Sequence, residues 1–192
     1  MSAAPQLNPV DWTELKPGAH AVQFYSSDDV LIERLAGFIG KALADGDAAV
    51  IIATKAHRQS LAKLLEVRGF DLAEAARRGL YISLDAAETL TQVLIDGWPN
   101  AVLFANCIGT ILGRAAAGVE GKRPHVAAFG EMVGVLWERG EFDTALQIEK
   151  LWNNLARTHS FSLCCAYAVC ASSFADEAVR AVHAEHSHIL PE

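Results

Sequence analysis

Basic residues, cysteines and long apolar runs are scarce in this 192-residue sequence, and each shortage excludes a class of protein. Sixteen Lys and Arg stand against 23 Asp and Glu, so the formal net charge is −7. Nucleic-acid binding is therefore not expected, because it requires a basic surface. No uninterrupted apolar run approaches the roughly 18 residues that a membrane span requires. Residues 1–17 also lack the basic and apolar regions of a secretory signal.

The four cysteines do not have the spacing of a disulfide scaffold. Cys164 and Cys165 are adjacent, and neighbouring residues of a strand point to opposite faces, so the two cannot share one tetrahedral zinc ion. Together with Cys107 and Cys170 they are predicted to be reduced and structural, which suits a cytoplasmic protein. Apolar residues make up 52% of the chain. We therefore expect a soluble, acidic, globular domain with a large core.

Apolar runs alternate with amphipathic stretches after residue 18, which predicts a leader at 1–18 and one α/β domain at 19–192. The leader is expected to dock, if at all, through Trp12 and Leu15. Five runs predict strands, at residues 20–25, 48–53, 80–84, 125–129 and 161–167. Helices are predicted at residues 28–44, 55–67, 71–77, from 85 onward, 101–117, 132–138, 142–157 and 175–186. This order predicts three α/β/α layers around a mainly parallel sheet of about five strands.

Ligands of an open parallel sheet bind beyond the carboxyl ends of its strands. The residues at or just beyond these ends are the candidates for ligand binding. They are Tyr25, Ser26, Thr54, His57, Asp85, Glu131 and Tyr167. His20, His125 and His159 lie at the opposite, entering ends of strands. We expect these three histidines to be structural.

The turn after the first predicted strand does not have the composition of a phosphate-binding loop. It reads Tyr25-Ser26-Ser27-Asp28-Asp29 and lacks the glycines and the lysine that hold phosphate. The two aspartates fall in the first turn of the next helix, where they would repel a polyphosphate. We therefore predict no nucleotide hydrolysis, no dinucleotide binding and no cofactor.

Glu149 lies on a predicted helix among apolar residues. A carboxylate in such surroundings must be hydrogen-bonded, paired with a cation or protonated. One interpretation is a buried structural residue bound to Arg157, a tryptophan N–H or a backbone amide. The other is a ligand-binding residue that projects, with Trp152 and Asn153, toward Glu131.

The second interpretation predicts one cavity shared by Glu131, Glu149 and Tyr167. Glu131 leaves the fourth predicted strand and Tyr167 the fifth, so both lie at the same edge of the sheet. The helix that carries Glu149 connects these two strands and must pack beside them.

The histidine-rich tail offers only weak metal candidates, His183, His186 and His188. His183 and His186 share a helical face, but a structural zinc site uses four ligands. A solvated helix end is the favoured interpretation, and no metal is expected. No arrangement of Ser, His and Asp or of Cys and His indicates a catalytic nucleophile.

Three segments resemble the MEDS domain, the methanogen/methylotroph DcmR sensory domain. They read HAVQFYSSDD, GLYISLDAAETL and FGEMVGVLWERGEFDTALQIEKLWNNLARTHSFSLCCAY, and the resemblance covers about residues 18–190. It implies a degenerate RecA/KaiC-like fold that has lost its phosphate-binding loop. It also implies a module that senses small molecules, with hydrocarbon derivatives as the proposed class. The residues that match the family pattern are Tyr25, Ser26, Asp85, Glu131, Glu149, Trp152, Asn153, Cys165 and Tyr167.

Three functions follow from these observations. The first is a non-catalytic small-molecule sensory domain in bacterial signal transduction or transcription control. The second is an adaptor with a vestigial pocket that binds a kinase or an anti-sigma-factor-type partner, and the third is an enzyme with Glu131 as general base. The expected partners are a small molecule and a signalling protein such as a histidine kinase or a sigma-factor regulator. Homo-oligomerisation stays open, as does whether the chain stands alone or belongs to a larger protein.

Overall fold

The computed structural model describes residues 8–121, 124–169 and 176–191, which form nine strands and eight α-helices. The strands are β1 (Asn8–Pro9), β2 (His20–Tyr25), β3 (Ala48–Ala53), β4 (Tyr81–Asp85), β5 (Leu94–Ile95), β6 (Trp98–Pro99), β7 (Val126–Gly130), β8 (Phe161–Ala168) and β9 (His188–Ile189). The helices are α1 (Asp28–Ala44), α2 (Lys55–Val67), α3 (Leu72–Arg77), α4 (Ala86–Val93), α5 (Ala101–Gly118), α6 (Met132–Glu138), α7 (Phe142–Leu155) and α8 (Asp176–Glu185). A single 3₁₀ turn spans Trp12–Glu14.

Seven of the strands form one parallel sheet, in the order β1-β9-β2-β8-β7-β3-β4. Strands β5 and β6 pair separately as a short antiparallel hairpin. Helices α4 to α8 contribute to the hydrophobic core on one face of the sheet. Helices α1 to α3 and the 3₁₀ turn pack on the other face. The predicted three-layer α/β/α fold is therefore confirmed.

The five predicted strands and the predicted helices occur within two residues of their expected bounds. The sheet has two more strands than the predicted five or so, because β1 and β9 were not expected. Each is two residues long, which is too short to show a periodic pattern of apolar residues. The predicted start of the last helix, at residue 175, lies outside the described residues, as does Cys170.

The segment before the first long strand packs against α1, as the predicted docking through Trp12 and Leu15 requires. Trp12 is 2% exposed and Leu15 is 8% exposed. The ring of Trp12 meets that of Phe38 edge-on, with the centroids 6.3 Å apart. This contact adds the 3₁₀ turn to the hydrophobic core on that side of the sheet.

Within the described residues, one helix is long and apolar enough to cross a membrane by length and composition alone. It is α5, with 18 residues and a mean hydropathy of 1.4. Phe104, Ile108 and Leu112 are buried on one side of this helix and belong to the hydrophobic core. Core helices of water-soluble proteins pass the same test, so this observation is weak evidence for a membrane span.

Helix α6 lies unusually close to strand β8 because Gly134 has no side chain. A Cβ atom at Gly134 would lie 2.7 Å from the carbonyl oxygen of Ala166. Real Cβ atoms essentially never approach another heavy atom this closely. The contact involves backbone on the β8 side, so a rotamer change cannot relieve it. This glycine therefore sets the position of α6 and of Glu131, the residue immediately before it.

Candidate functional site

Glu131 organises a polar cluster at the carboxyl edge of the sheet, in line with the prediction for strand-end residues. It follows β7 directly, precedes α6 and is only 3% exposed. One carboxylate oxygen, Oε2, accepts a 2.7 Å hydrogen bond from the backbone N–H of Thr54. The other, Oε1, lies 2.5 Å from Nδ1 of His57. Glu131 thereby joins the start of α6 to the start of α2.

His57 connects this buried carboxylate to the protein surface. Its Nε2 atom lies 3.4 Å from Oδ1 of Asp28, whose side chain is 73% exposed. The ring of Tyr25 meets the His57 ring edge-on, with the centroids 6.0 Å apart. We refer to Tyr25, Asp28, Thr54, His57 and Glu131 as the Glu131 cluster.

Burial and charge determine the protonation of the Glu131 cluster. Burial acts to lower the pKa of His57, but the hydrogen bond and charge of Glu131, with the charge of Asp28, raise that pKa above 6.5 overall. Burial and then the charges of Glu131 and Asp28 raise the pKa of Tyr25, so its hydroxyl stays protonated. The cluster therefore favours a protonated His57 imidazole beside Glu131.

Protonated His57 is expected to stabilise the fold at low pH and to lose this effect as the pH rises. Its pKa is above 6.5 in the fold and 6.5 in the unfolded chain. Between these two values the folded protein holds a proton that the unfolded chain has released, so the free energy of unfolding declines with pH. His57→Gln should flatten this decline in urea unfolding experiments from about pH 6 to about pH 9.

Glu131→Gln should flatten the same decline, because it removes the charge that retains the proton on His57. An NMR titration of the His57 ring measures the pKa directly. A midpoint at or below 6.5 in the folded wild-type protein would contradict this assignment.

A cleft of about 510 Å³ opens between α1 and α2 beside the Glu131 cluster. This volume falls in the range of small-molecule sites. Its lining includes acidic, basic and apolar side chains, among them Asp28, Asp29, Ile32, Glu33, His57 and Lys63. His57 thus belongs both to the wall of the cleft and to the buried Glu131 cluster.

Two other predicted site residues at this edge are Ser26 and Asp85. Ser26 lies exposed in the turn after β2. Asp85 accepts hydrogen bonds from the backbone N–H groups of Ala87 and Glu88 and so caps α4, and it pairs with Arg58 at 2.9 Å. The observed contacts of Asp85 are those of a structural helix cap.

Glu149 is the centre of a second polar cluster, which is completely buried. Its Oε1 accepts a 2.6 Å hydrogen bond from the hydroxyl of Tyr167, and its Oε2 accepts one of 3.2 Å from the thiol of Cys165. Nε2 of His20 lies 3.2 Å from Oε2, and Nε2 of His186 lies 3.4 Å from Oε1. We refer to His20, Glu149, Cys165 and His186 as the Glu149 cluster.

The polar contacts of the Glu149 cluster keep its carboxylate ionised. Burial alone would raise the pKa of Glu149, but the contacts with His186 and His20 hold it well below its ordinary value. Burial, followed by the charge of Glu149, raises the pKa of the Cys165 thiol well above its ordinary value. The same two causes raise the pKa of Tyr167. Both groups therefore stay protonated and donate to Glu149.

The predicted cavity shared by Glu131, Glu149 and Tyr167 is wrong. The two carboxylates bind separate sets of residues, on opposite faces of the sheet. Tyr167 and Cys165 belong to the core on the α7 side, whereas Tyr25 packs in the core on the α1 side. Helix α7 packs on β8, where Glu149 contacts Cys165 and Tyr167 within the core rather than at the edge of the sheet.

Trp152 and Asn153 do not project toward a pocket at Glu131 either. Trp152 is 1% exposed and packs edge-on against Phe104 in the core. The Asn153 side chain accepts a hydrogen bond from His20 Nδ1 and donates to the backbone carbonyl of Glu185. Asn153 therefore supports the Glu149 cluster instead of the Glu131 cluster.

The histidines at the entering ends of strands and the cysteines were all expected to be structural. His125 and His159 make local contacts, with Asp47 and Ser162 in one case and Thr158 in the other. His20 was expected to be structural but belongs to the Glu149 cluster. Cys107, Cys164 and Cys165, the cysteines within the described residues, are all free thiols.

Sequence reasoning missed the grouping of His20, Cys165 and His186 around Glu149 for one reason. It searched only the carboxyl edge of the sheet, whereas β2 begins with His20 at the entering edge. The sequence contains only a weak indication. Glu149 on an apolar helix face requires polar partners, but the sequence does not show which residues they are.

The comparisons with known proteins agree with this fold. The doubly covered parallel sheet is similar to the KaiC-like protein PH0186 of the hyperthermophilic archaeon Pyrococcus horikoshii OT3, with a TM-score of 0.57. The match covers 93% of this chain and 79% of that chain at 13% sequence identity, which shows the fold alone. The family model of the MEDS domain, the MEthanogen/methylotroph, DcmR Sensory domain, matches residues 19–187. The chain therefore belongs to the MEDS family of sensory domains. A search of curated proteins gives no match.

Proposed function

We propose that this chain is a non-catalytic sensory domain that binds a small molecule in the cleft between α1 and α2 and acts in cytoplasmic signalling or transcription control. The observation that carries the proposal is the continuous polar path from this cleft into the fold. Asp28 at the cleft contacts His57, and His57 contacts buried Glu131. A ligand that displaces either of the first two residues would disturb Glu131, which links α2 to α6.

The charge of the cleft favours a neutral or cationic ligand. Asp28, Asp29 and Glu33 face Lys63 and His57 across it, so acidic groups outnumber basic ones. Asp28 and Asp29 also occupy the first turn of α1, where a helix N-terminus would otherwise attract phosphate. Apolar side chains complete the wall, which suits a small organic molecule such as a hydrocarbon derivative.

Ligand binding is expected to raise the melting temperature of the protein. The test uses a panel of simple alcohols, alkyl amines and quaternary ammonium compounds, with ATP and inorganic phosphate as the anionic comparison. At 100 times its Kd a ligand adds about 2.7 kcal/mol of stability, or about 5–10 °C in Tm for a chain of this size. Calorimetric titration then gives Kd for each compound that shifts the Tm.

Glu131→Gln is expected to weaken that binding by about 10-fold, because it removes the charge that orients His57 at the cleft. His125→Gln is the matched control, since His125 lies at the opposite edge of the sheet and should leave Kd unchanged. Failure of every organic compound to shift the Tm, or stronger shifts with the anions, would contradict the sensory proposal. If the wild-type protein turns over one of the compounds and Glu131→Gln does not, the enzyme is favoured instead.

Binding of a signalling protein is the second candidate function, favoured by exposed apolar side chains beside the β5–β6 hairpin. Ile95, Trp98 and Val102 are each at least half exposed, within eight residues of one another in sequence. An adaptor would use such a surface to bind a histidine kinase or a sigma-factor regulator. If the partner binds the wild-type protein but not Trp98→Ala, and no ligand shifts the Tm, the adaptor is favoured over the sensor.

A further inference from the structure

The Glu149 cluster has the composition of a metal site. Two imidazole nitrogens, one thiol sulfur and one carboxylate oxygen lie within 4.8 Å of one another. Imidazole and sulfur ligands together suit Zn²⁺, which also accepts carboxylate oxygen. All four residues are buried. Exposed acidic groups are common without a metal ion, whereas all residues of this cluster are buried.

The shortest distances within the cluster are close to those of a tetrahedral zinc site. His20 Nε2 lies 3.5 Å from Cys165 Sγ and 3.2 Å from Glu149 Oε2. His186 Nε2 lies 3.4 Å from Glu149 Oε1. With metal–ligand bonds of about 2.0–2.3 Å at tetrahedral angles, neighbouring ligand atoms are about 3.3–3.6 Å apart. The four ligand atoms all lie within 4.8 Å of one another, so an ion fits between them if the most distant atoms move together by up to about 1.5 Å.

The orientation of His186 provides an independent indication of a cation. Its Nδ1–H donates to the backbone carbonyl of Val182 at 2.7 Å, so in the neutral ring Nε2 carries a lone pair. This Nε2 is buried and has no hydrogen-bond partner, yet it faces the Glu149 carboxylate. Two acceptors that face each other in the core repel, unless a proton or a metal ion lies between them.

A hydrogen bond at Nδ1 also orients the ring of His20. Asn153 donates its amide N–H to the carbonyl of Glu185, which leaves its oxygen to accept from His20 Nδ1 at 2.9 Å. The Nε2 lone pair of His20 then points at Glu149 and Cys165. Metal-binding histidines are oriented by this kind of bond on the other ring nitrogen. A proton would satisfy one of the two rings, whereas a divalent cation would satisfy both rings and the sulfur together.

We propose that His20, Glu149, Cys165 and His186 bind one Zn²⁺ ion in a closed tetrahedral site. As the zinc–sulfur bond forms, Cys165 loses its thiol proton to solvent, so the ion binds a thiolate. Four protein ligands complete the coordination and leave no position for substrate, which makes the site structural rather than catalytic.

The proposed ion would join elements that are far apart in sequence. His20 belongs to β2, Glu149 to α7 and Cys165 to β8, and His186 immediately follows α8. The free energy of zinc binding would therefore stabilise the packing of α8, and of β9 after it, against the central strands. The proposal does not rest on the sensory function, because the α1–α2 cleft lies on the other face of the sheet.

Metal analysis of the purified full chain tests the site directly. After equilibration with micromolar Zn²⁺ and removal of excess metal, we expect one Zn²⁺ per chain. Replacement by Co²⁺ should give the charge-transfer absorption of a thiolate–cobalt bond and the visible bands of tetrahedral cobalt. Cys165→Ser and His186→Ala should each weaken Zn²⁺ binding by about 100-fold or more.

Two matched controls accompany these variants. Cys164→Ser changes the adjacent buried thiol, which points to the other face of β8. His183→Ala changes a histidine near the end of α8, three residues before His186, that lies outside the cluster. Both should retain one Zn²⁺ per chain, and so should Glu131→Gln.

The absence of bound Zn²⁺ and of the cobalt–thiolate band in the wild-type protein would overturn the proposal. So would a metal content that is unchanged in both Cys165→Ser and His186→Ala. Circular dichroism checks that each variant is folded. If the two ligand variants are unfolded, the cobalt spectrum of the wild-type protein decides the question alone.

Discussion

Glu149→Ala is expected to lower the free energy of unfolding by about 3–5 kcal/mol. The substitution removes the only carboxylate within the Glu149 cluster, while His20, His186, Cys165 and Tyr167 remain buried around the vacated volume. The Tyr167 hydroxyl and the Cys165 thiol both lose their acceptor. Unsatisfied buried donors of this kind are costly because no water reaches them.

Urea unfolding in the presence of a chelator measures this effect without a contribution from bound metal. Glu149→Gln should cost less than Glu149→Ala, because the amide oxygen still accepts from Tyr167. Glu66→Ala, at an exposed position of α2, is the matched control and should change the free energy of unfolding by less than about 0.5 kcal/mol. A loss below about 1 kcal/mol in Glu149→Ala would show that the network contributes little.

Gly134→Ala is expected to destabilise the protein by about 1–3 kcal/mol, although alanine is the better helix former. The new Cβ atom would lie 2.7 Å from the carbonyl oxygen of Ala166, so α6 must move away from β8. Because Glu131 immediately precedes α6, the shift should also disturb its contacts with Thr54 and His57.

Gly37→Ala is the matched control for this prediction. Gly37 lies within α1, and a Cβ atom there would meet nothing within 4 Å. That variant should be more stable than the wild-type protein by about 0.5–1 kcal/mol, because only helix propensity changes. Thermal and urea unfolding of the two variants should therefore give changes of opposite sign, and two changes of the same sign would contradict the packing argument.

The sequence predicted the fold well because its strands and helices are long and regularly patterned. The run Ala48–Ala53 is buried at every position, as expected of a central parallel strand. Thr54 and Asp85 cap α2 and α4, which begin at the positions that the sequence predicts. The two-residue strands β1 and β9 could not be predicted, because their pairing depends on the sheet already formed beside them.

The candidate site was predictable only at the carboxyl edge of the sheet. Thr54, His57 and Glu131 each follow a strand, and parallel neighbours bring such residues together. The partners of Glu149 include His20 and His186, which are separated by most of the chain. Their meeting depends on the packing of α8, which no local pattern specifies.

The two outer strands of the sheet differ in how they could pair with another polypeptide. At one edge, within the residues that the structure describes, β1 has two residues, and its proline has no N–H to donate. At the other edge, β4 presents five residues beside a groove lined by Arg77, Arg78 and Arg114. Short edge strands and nearby charges are the features that protect sheets from edge-to-edge aggregation. Arg77 and Arg78 are paired with Glu74 and Glu120, so a strand added along β4 would meet a border of charges of both signs.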